Sequence, residues 1–218
     1  MTRQITTLLL MALVVGLGCS ALAQDVQLLD AVRASSETLE TYSATIEMTR
    51  HGSRGASAIS FAFDFVPSDR MRIVYTAPSS VEGQTMILNA EHFYTYIPSL
   101  GRRVWQDVDE NSNDQGEEMG FLYDFVTRAA AAFIDSHESC VAEQIEEYVL
   151  EGSGEAIETH RLSFSNEDGQ QVVRVRCSDD VPVSVDIYQG DDLTMEIRVL
   201  RYSVNGELDP ALFEIPEQ

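Results

Sequence analysis

Ile59-Ser60-Phe61-Ala62-Phe63-Asp64-Phe65-Val66-Pro67 alternates large apolar and small or polar side chains until a proline ends the run. A period of two sets Ile59, Phe61, Phe63 and Phe65 on one side of an extended strand, with Ser60, Ala62 and Asp64 on the other. Ala44, Ile46 and Met48 alternate in the same way just before it. Further strands are predicted at Met71 to Thr76, Gln84 to Asn89, His92 to Ile97 and Arg102 to Gln106. Pro78-Ser79-Ser80, Ala90-Glu91 and Pro98-Ser99-Leu100-Gly101 separate them. Connections this short imply an antiparallel meander. A second series begins at Ile145 and runs through Ile157 to Ser165, Gln171 to Cys177, Val181 to Tyr188 and Leu193 to Tyr202. Its turns, Glu167-Asp168-Gly169 and Gln189-Gly190-Asp191-Asp192, suit hairpins.

Two stretches follow a period of 3.6 instead. Leu28, Leu29, Val32, Ser36, Leu39 and Tyr42 share one stripe, predicting an amphipathic helix over 26–42 that Asp25 can cap. Phe121, Leu122, Phe125, Val126, Ala129, Ala132 and Phe133 predict a second of about 15 residues. The expected fold is therefore α+β: a single large curved antiparallel sheet of about 10–11 strands, an incomplete barrel, with two covering helices. A sheet of that width tends to curl, and its inner face must be filled by side chains, helices or a ligand.

The 218 residues suffice for one domain, and no repeat or Pro- or Ser-rich linker divides them. Thirty-six Asp and Glu face 14 basic residues, all Arg, for a formal charge of −22. Nucleic acid is excluded as a partner, since binding it needs a basic patch. An anionic membrane surface is disfavoured for the same reason. At the N-terminus, Arg3, the apolar run Leu8 to Leu17 and Ala21-Leu22-Ala23 form a signal peptide, with the mature domain at 24–218. Removing those 23 residues, which hold one Arg and no acid, leaves 195 residues with a charge of −23. The alternative is lipidation at Cys19, although Gly16-Leu17-Gly18 lacks the usual aliphatic residue three positions before that cysteine. Export leaves Cys140 and Cys177, an even pair in an oxidising compartment. A disulfide closing a loop of about 37 residues is expected, contributing ~4 kcal/mol; two buried free thiols are the alternative.

Leu39-Glu40-Thr41-Tyr42-Ser43-Ala44-Thr45, Phe63-Asp64-Phe65-Val66-Pro67, Arg70-Met71-Arg72-Ile73-Val74-Tyr75, Ala77-Pro78 and Phe93-Tyr94-Thr95-Tyr96-Ile97-Pro98 together resemble the periplasmic outer-membrane lipoprotein carrier (Lol-type) family. The closing stretch from Asn205-Gly206-Glu207-Leu208-Asp209-Pro210 to Phe213-Glu214-Ile215-Pro216 is similar to that family's C-terminal segment. The resemblance implies an incomplete β-barrel with helical lids that carries lipoprotein acyl chains across the periplasm, between an inner-membrane transporter and an outer-membrane acceptor. Where the carriers at the family's centre place a lid-linked Arg before the strand-ending proline, this chain has Val66. That departure favours the broader group of lipoprotein-sorting-like proteins, among them stress sensors and partners of lipid exporters.

Each acyl methylene taken from water contributes ~0.8 kcal/mol, so a 16-carbon chain represents ~12 kcal/mol and needs a large apolar cavity. The candidate cavity residues are Phe61, Phe63, Phe65, Ile73, Tyr75, Met86, Leu88, Phe93 and Ile97; the candidate lid residues are Phe121, Leu122, Phe125, Val126 and Phe133. The alternative for the strand residues is an ordinary packed core. Matching the family on Pro67 turns Ala62, Asp64 and Val66 inward, whereas burial turns the phenylalanines inward; a one-residue slip exchanges the faces, and burial is the stronger requirement.

Signs of catalysis are thin. His51, His92, His137 and His160 lack metal-ligand spacing, and there is no G-x-S-x-G. Asp107, Asp109, Asn111, Asn113, Gln115 and Glu118 follow a calcium-loop spacing. Ser112, standing where the sharp turn needs glycine, favours an acidic loop instead. No catalytic residue, metal or cofactor is assigned. The expected function is a periplasmic carrier of lipoprotein or lipid acyl chains. The alternative is a sensor or interaction module of the same fold that reports envelope lipid or lipoprotein status to a membrane partner.

Overall fold

Two meanders share one sheet. The computed structural model describes residues 31, 34–35, 38–53, 55–67, 70–89, 92–107, 139–150, 152–166 and 169–216. The first meander holds β1 (Tyr42–Gly52), β2 (Gly55–Val66), β3 (Arg70–Ala77), β4 (Thr85–Leu88), β5 (His92–Ile97) and β6 (Arg102–Asp107). The second holds β7 (Ser139–Leu150), β8 (Glu155–Asn166), β9 (Gly169–Arg176), β10 (Pro182–Gln189) and β11 (Asp192–Val204). The sheet order is β6-β5-β4-β3-β2-β1-β11-β10-β9-β8-β7, so the first strand pairs with the last at the centre. Among the described residues the two edge strands, β6 and β7, do not pair with each other.

Register follows the alternation. Phe65 stands opposite Tyr42 and Met71, and Phe63 opposite Ala44 and Ile73, so all six share one face. The core extends across the seam through Ile197, Val199, Val185, Val173, Val175, Leu162 and Phe164. Leu39 and Val81 pack on it from outside the sheet. Bulges near Ser60/Phe61, Thr45/Ile46 and Ile187/Tyr188 add local bend and twist. At the far end, the tip of the β7–β8 hairpin folds onto β11: a Cβ at Gly152 would lie 2.6 Å from the Leu200 carbonyl oxygen. In a flat sheet, strands four places apart would be ~19 Å from each other, so this end is strongly curled.

The fold is all-β, and this corrects the expected α+β class. Among the described residues the sheet stands without a helix of seven or more residues. Tyr42, read as the last stripe residue of the first helix, instead opens β1; pairing on both sides with β2 and β11 stabilises the extended backbone there. Of the rest of that stretch, Ala31, Ala34 and Ser35 are helical. The helix expected at 121–133 lies outside the described residues.

The expected disulfide is also corrected. Cys140 stands opposite Phe164 near one end of β8, whereas the Cys177 N–H donates to the carbonyl of Glu158, six residues away along that strand, at 3.0 Å. Six strand residues span ~20 Å, far beyond the ~7 Å limit between bridged Cα atoms. Cys177 is a free thiol. An even cysteine count carries no information about register.

Candidate functional site

All nine candidate cavity residues lie on one face of β2 to β5, in register rows such as Phe65–Met71–Leu88–Phe93 and Phe63–Ile73–Met86. Burial is graded across them. Phe61, Phe63, Phe65, Ile73 and Tyr75 are buried; Met86, Leu88, Phe93 and Ile97 are half-buried toward the β5 side. The rings interlock: Phe63 and Phe65 stack at 6.0 Å, Phe61 tilts against Tyr75 at 5.8 Å, and Tyr42 tilts against Phe63 at 6.2 Å. The conflict between family alignment and burial resolves for burial, since Phe63 is 0% exposed.

Sequence reasoning passed over part of this face. Tyr42 belongs to it, with a buried hydroxyl that meets no partner among the described residues. Burial first, then Tyr202 and Asp179, push its pKa far above the ordinary phenol value. Tyr202 stacks on Tyr42 at 6.3 Å and links the face to the turn after β9: Arg176 donates to its hydroxyl at 2.8 Å, and that hydroxyl donates to Asp179 at 2.9 Å. Ser35 Oγ donates to the carbonyl of Asp179 at 2.9 Å, tying the N-terminal segment to this turn. The period-two pattern in Leu162, Phe164, Val173 and Val175 was the available signal for the second meander's share.

The opposite face carries ion pairs on β2, β3 and the second meander, and buries Ile87 and Tyr94 on β4 and β5. Asp64 accepts from Arg72 at 2.9 Å and from Ser43 at 2.8 Å. Arg70 lies over the Phe213 ring, and Trp105 Nε1 donates to the carbonyl of Pro216 at 3.3 Å, so the C-terminal segment crosses this face from β3 to β6. Both arginines near Val66, Arg70 and Arg72, are thus engaged on this face. In the second meander Arg174 donates to Glu146 at 2.6 Å and to Asp186 at 2.8 Å, Arg198 bonds Asp186 and Glu196, and His51 pairs with Glu196 at 2.7 Å. Burial works against the Arg174 charge, but the bonds and charges of Asp186 and Glu146 outweigh it and hold its pKa above the ordinary value.

A cleft of about 290 Å³ opens where β8 meets the end of β9, lined by Glu155, Ala156, Ile157, Glu158, Arg176, Cys177 and Ser178. Burial, then Glu158 and Asp180, push the Cys177 thiol up, which lowers its thiolate fraction and with it its nucleophilicity. The candidate lid residues Phe121, Leu122, Phe125, Val126 and Phe133, and residues 108–118 of the calcium-like spacing, lie outside the described residues. The geometry thus gathers the large apolar side chains of β2 to β5 on one face, with ion pairs such as Asp64–Arg72 behind it.

No protein-family model and no curated protein matches the sequence. Solved structures share the fold. MucB aligns with a TM-score of 0.59 at 9% identity, covering 89% of this chain and 63% of its own. The Pseudomonas aeruginosa MucA/MucB complex aligns at 0.55 and 10%. An uncharacterized conserved protein from Thermus thermophilus gives 0.54 at 11% identity, covering 88% of this chain and 93% of the other. The Mycobacterium tuberculosis lipoprotein LppX gives 0.51 at 13%, covering 85% and 98%.

Proposed function

We propose that the protein is a non-catalytic carrier that takes lipoprotein or lipid acyl chains on the phenylalanine face and passes them from an inner-membrane transporter to an outer-membrane acceptor. The observation that supports this most directly is the uninterrupted apolar surface from Phe61 to Phe93. Its half-buried margin at Met86, Leu88 and Phe93 lies next to a fully buried floor. A hydrocarbon enters at the margin, where displacing existing contacts costs least, and extends toward Phe63 as it replaces them. The sequence resemblance to the Lol-type carriers and the fold shared with LppX agree with this reading. Export through a signal peptide cleaved after Ala23, with lipidation at Cys19 as the alternative, puts the protein in the periplasm, where such cargo has to be shielded from water.

The test is mass spectrometry of lipids that co-purify with the protein from periplasm, for the native chain and for Leu88→Glu. A reproducible acylated species lost in the folded variant supports the carrier. Its absence from the native protein leaves a packed core as the better account. A second reading, a sensing module that binds a membrane partner, draws on MucB having been solved with MucA. Capture of a membrane-protein segment in the absence of lipid would favour it.

A further inference from the structure

Three large apolar residues are well exposed among the described ones, and two of them share one strand: Ile145 is 60% and Val149 50% exposed. Both lie on β7, which among the described residues pairs in the sheet with β8 alone. The register sets Ile145 opposite His160, Glu147 opposite Glu158 and Val149 opposite Ala156. Residues opposite each other in an antiparallel pair share a face, so this face carries two apolar side chains flanking two adjacent carboxylates. Like charges directly opposite destabilise a sheet. No ion pair joins Glu147 or Glu158 to a cation among the described residues. The cleft lined by Glu155, Glu158 and Cys177 adjoins the pair. Burial first, then Glu158 and Asp180, raise the pKa of Cys177, which lines this cleft.

We propose that the outer edge of β7 around 145–149, unpaired among the described residues, docks an extended cationic segment of a partner protein by strand addition, with an Arg or Lys of the partner seated at Glu147 and Glu158. An edge strand offers unpaired backbone groups to an incoming strand. Its alternation then specifies the guest: a cation opposite Glu147, and apolar residues two places before and after to cover Ile145 and Val149. Charge complementarity selects this occupant. An anionic bilayer would meet two carboxylates, and a second copy of β7 would bring two more. The inference is independent of acyl binding on the phenylalanine face.

The probe is a fluorescein-labelled peptide, Gly-Thr-Val-Thr-Arg-Thr-Val-Thr-Gly, and its counterpart with Glu for Arg, each titrated into the full chain. The Arg peptide should bind, more weakly as salt rises, and should protect the β7 amides around 145–149 from hydrogen exchange. Glu147→Gln with Glu158→Gln should weaken binding about tenfold and flatten the salt dependence. Val149→Lys should abolish binding with the melting temperature retained. Both sites are exposed, and Glu147→Gln alone serves if the double variant folds poorly. Absent or equal binding of the two peptides, or protection elsewhere, overturns the proposal. So does Val149→Lys abolishing either self-association or adsorption to phosphatidylglycerol vesicles, since the edge would then serve a second copy or a membrane.

Discussion

Asp64 on β2 accepts a hydrogen bond from Arg72 on β3 at 2.9 Å, while their chain neighbours Phe63 and Ile73 pair across the same two strands on the other face. One register makes both contacts, so the ion pair holds the position from which the phenylalanines point inward. Arg72→Ala leaves a buried carboxylate with only Ser43 as partner and should cost about 2 kcal/mol in urea unfolding. The double variant Asp64→Leu with Arg72→Met should recover most of that loss, because no uncompensated charge remains.

Burial grades the cost of trimming the apolar face. Phe63→Ala removes a fully enclosed ring and should cost ~3–5 kcal/mol. Phe93→Ala, at the half-buried margin, should cost less than half as much. Equal losses by chemical denaturation would contradict a graded surface.

Asp180 holds a positive φ of 56°, and its pKa is raised by burial and by Asp179, against an opposing effect of His160. A carboxyl whose folded pKa exceeds its unfolded value stabilises the fold when protonated, and that contribution is lost as pH rises through the folded pKa. Asp180→Asn, which tolerates the same backbone, should therefore raise the melting temperature at pH 7. The advantage should vanish below the unfolded Asp pKa of ~3.9.

Peptide mapping without reductant should recover Cys140 and Cys177 as separate thiols, with no linked pair. Cys177→Ser should leave the melting temperature unchanged with and without reductant. Alkylation of Cys177 should be slow at neutral pH and accelerate only above the range of an ordinary thiol, because burial raises its pKa.

A formal charge of −22 with no Lys sets carboxylates against each other over much of the surface. Adding ~1 M salt screens that repulsion and should raise the melting temperature. A flat or falling response would mean that the ion pairs, such as Arg174 with Asp186, matter more than the net charge.

Which side of β2 faces inward was legible from Ile59 to Phe65 alone, because alternation is local and three phenylalanines outweigh Ala62, Asp64 and Val66 in what they gain from burial. The turns at Pro78, Pro98 and Gly190 were legible for the same reason: residue type restricts the backbone within a few positions. Other features depend on partners far along the chain. Tyr42 fits a helical stripe as well as a strand, and its pairing with Val204 and Phe65 settles which. The seam of β1 with β11 joins residues some 160 positions apart and leaves β7 at an edge, exposing Ile145 and Val149. That same order carries Cys140 and Cys177 to opposite ends of β8, and brings Arg174 and Arg198 to either side of Asp186. Strand order is decided by long-range pairing, whose cost in chain entropy is offset only when the whole sheet forms.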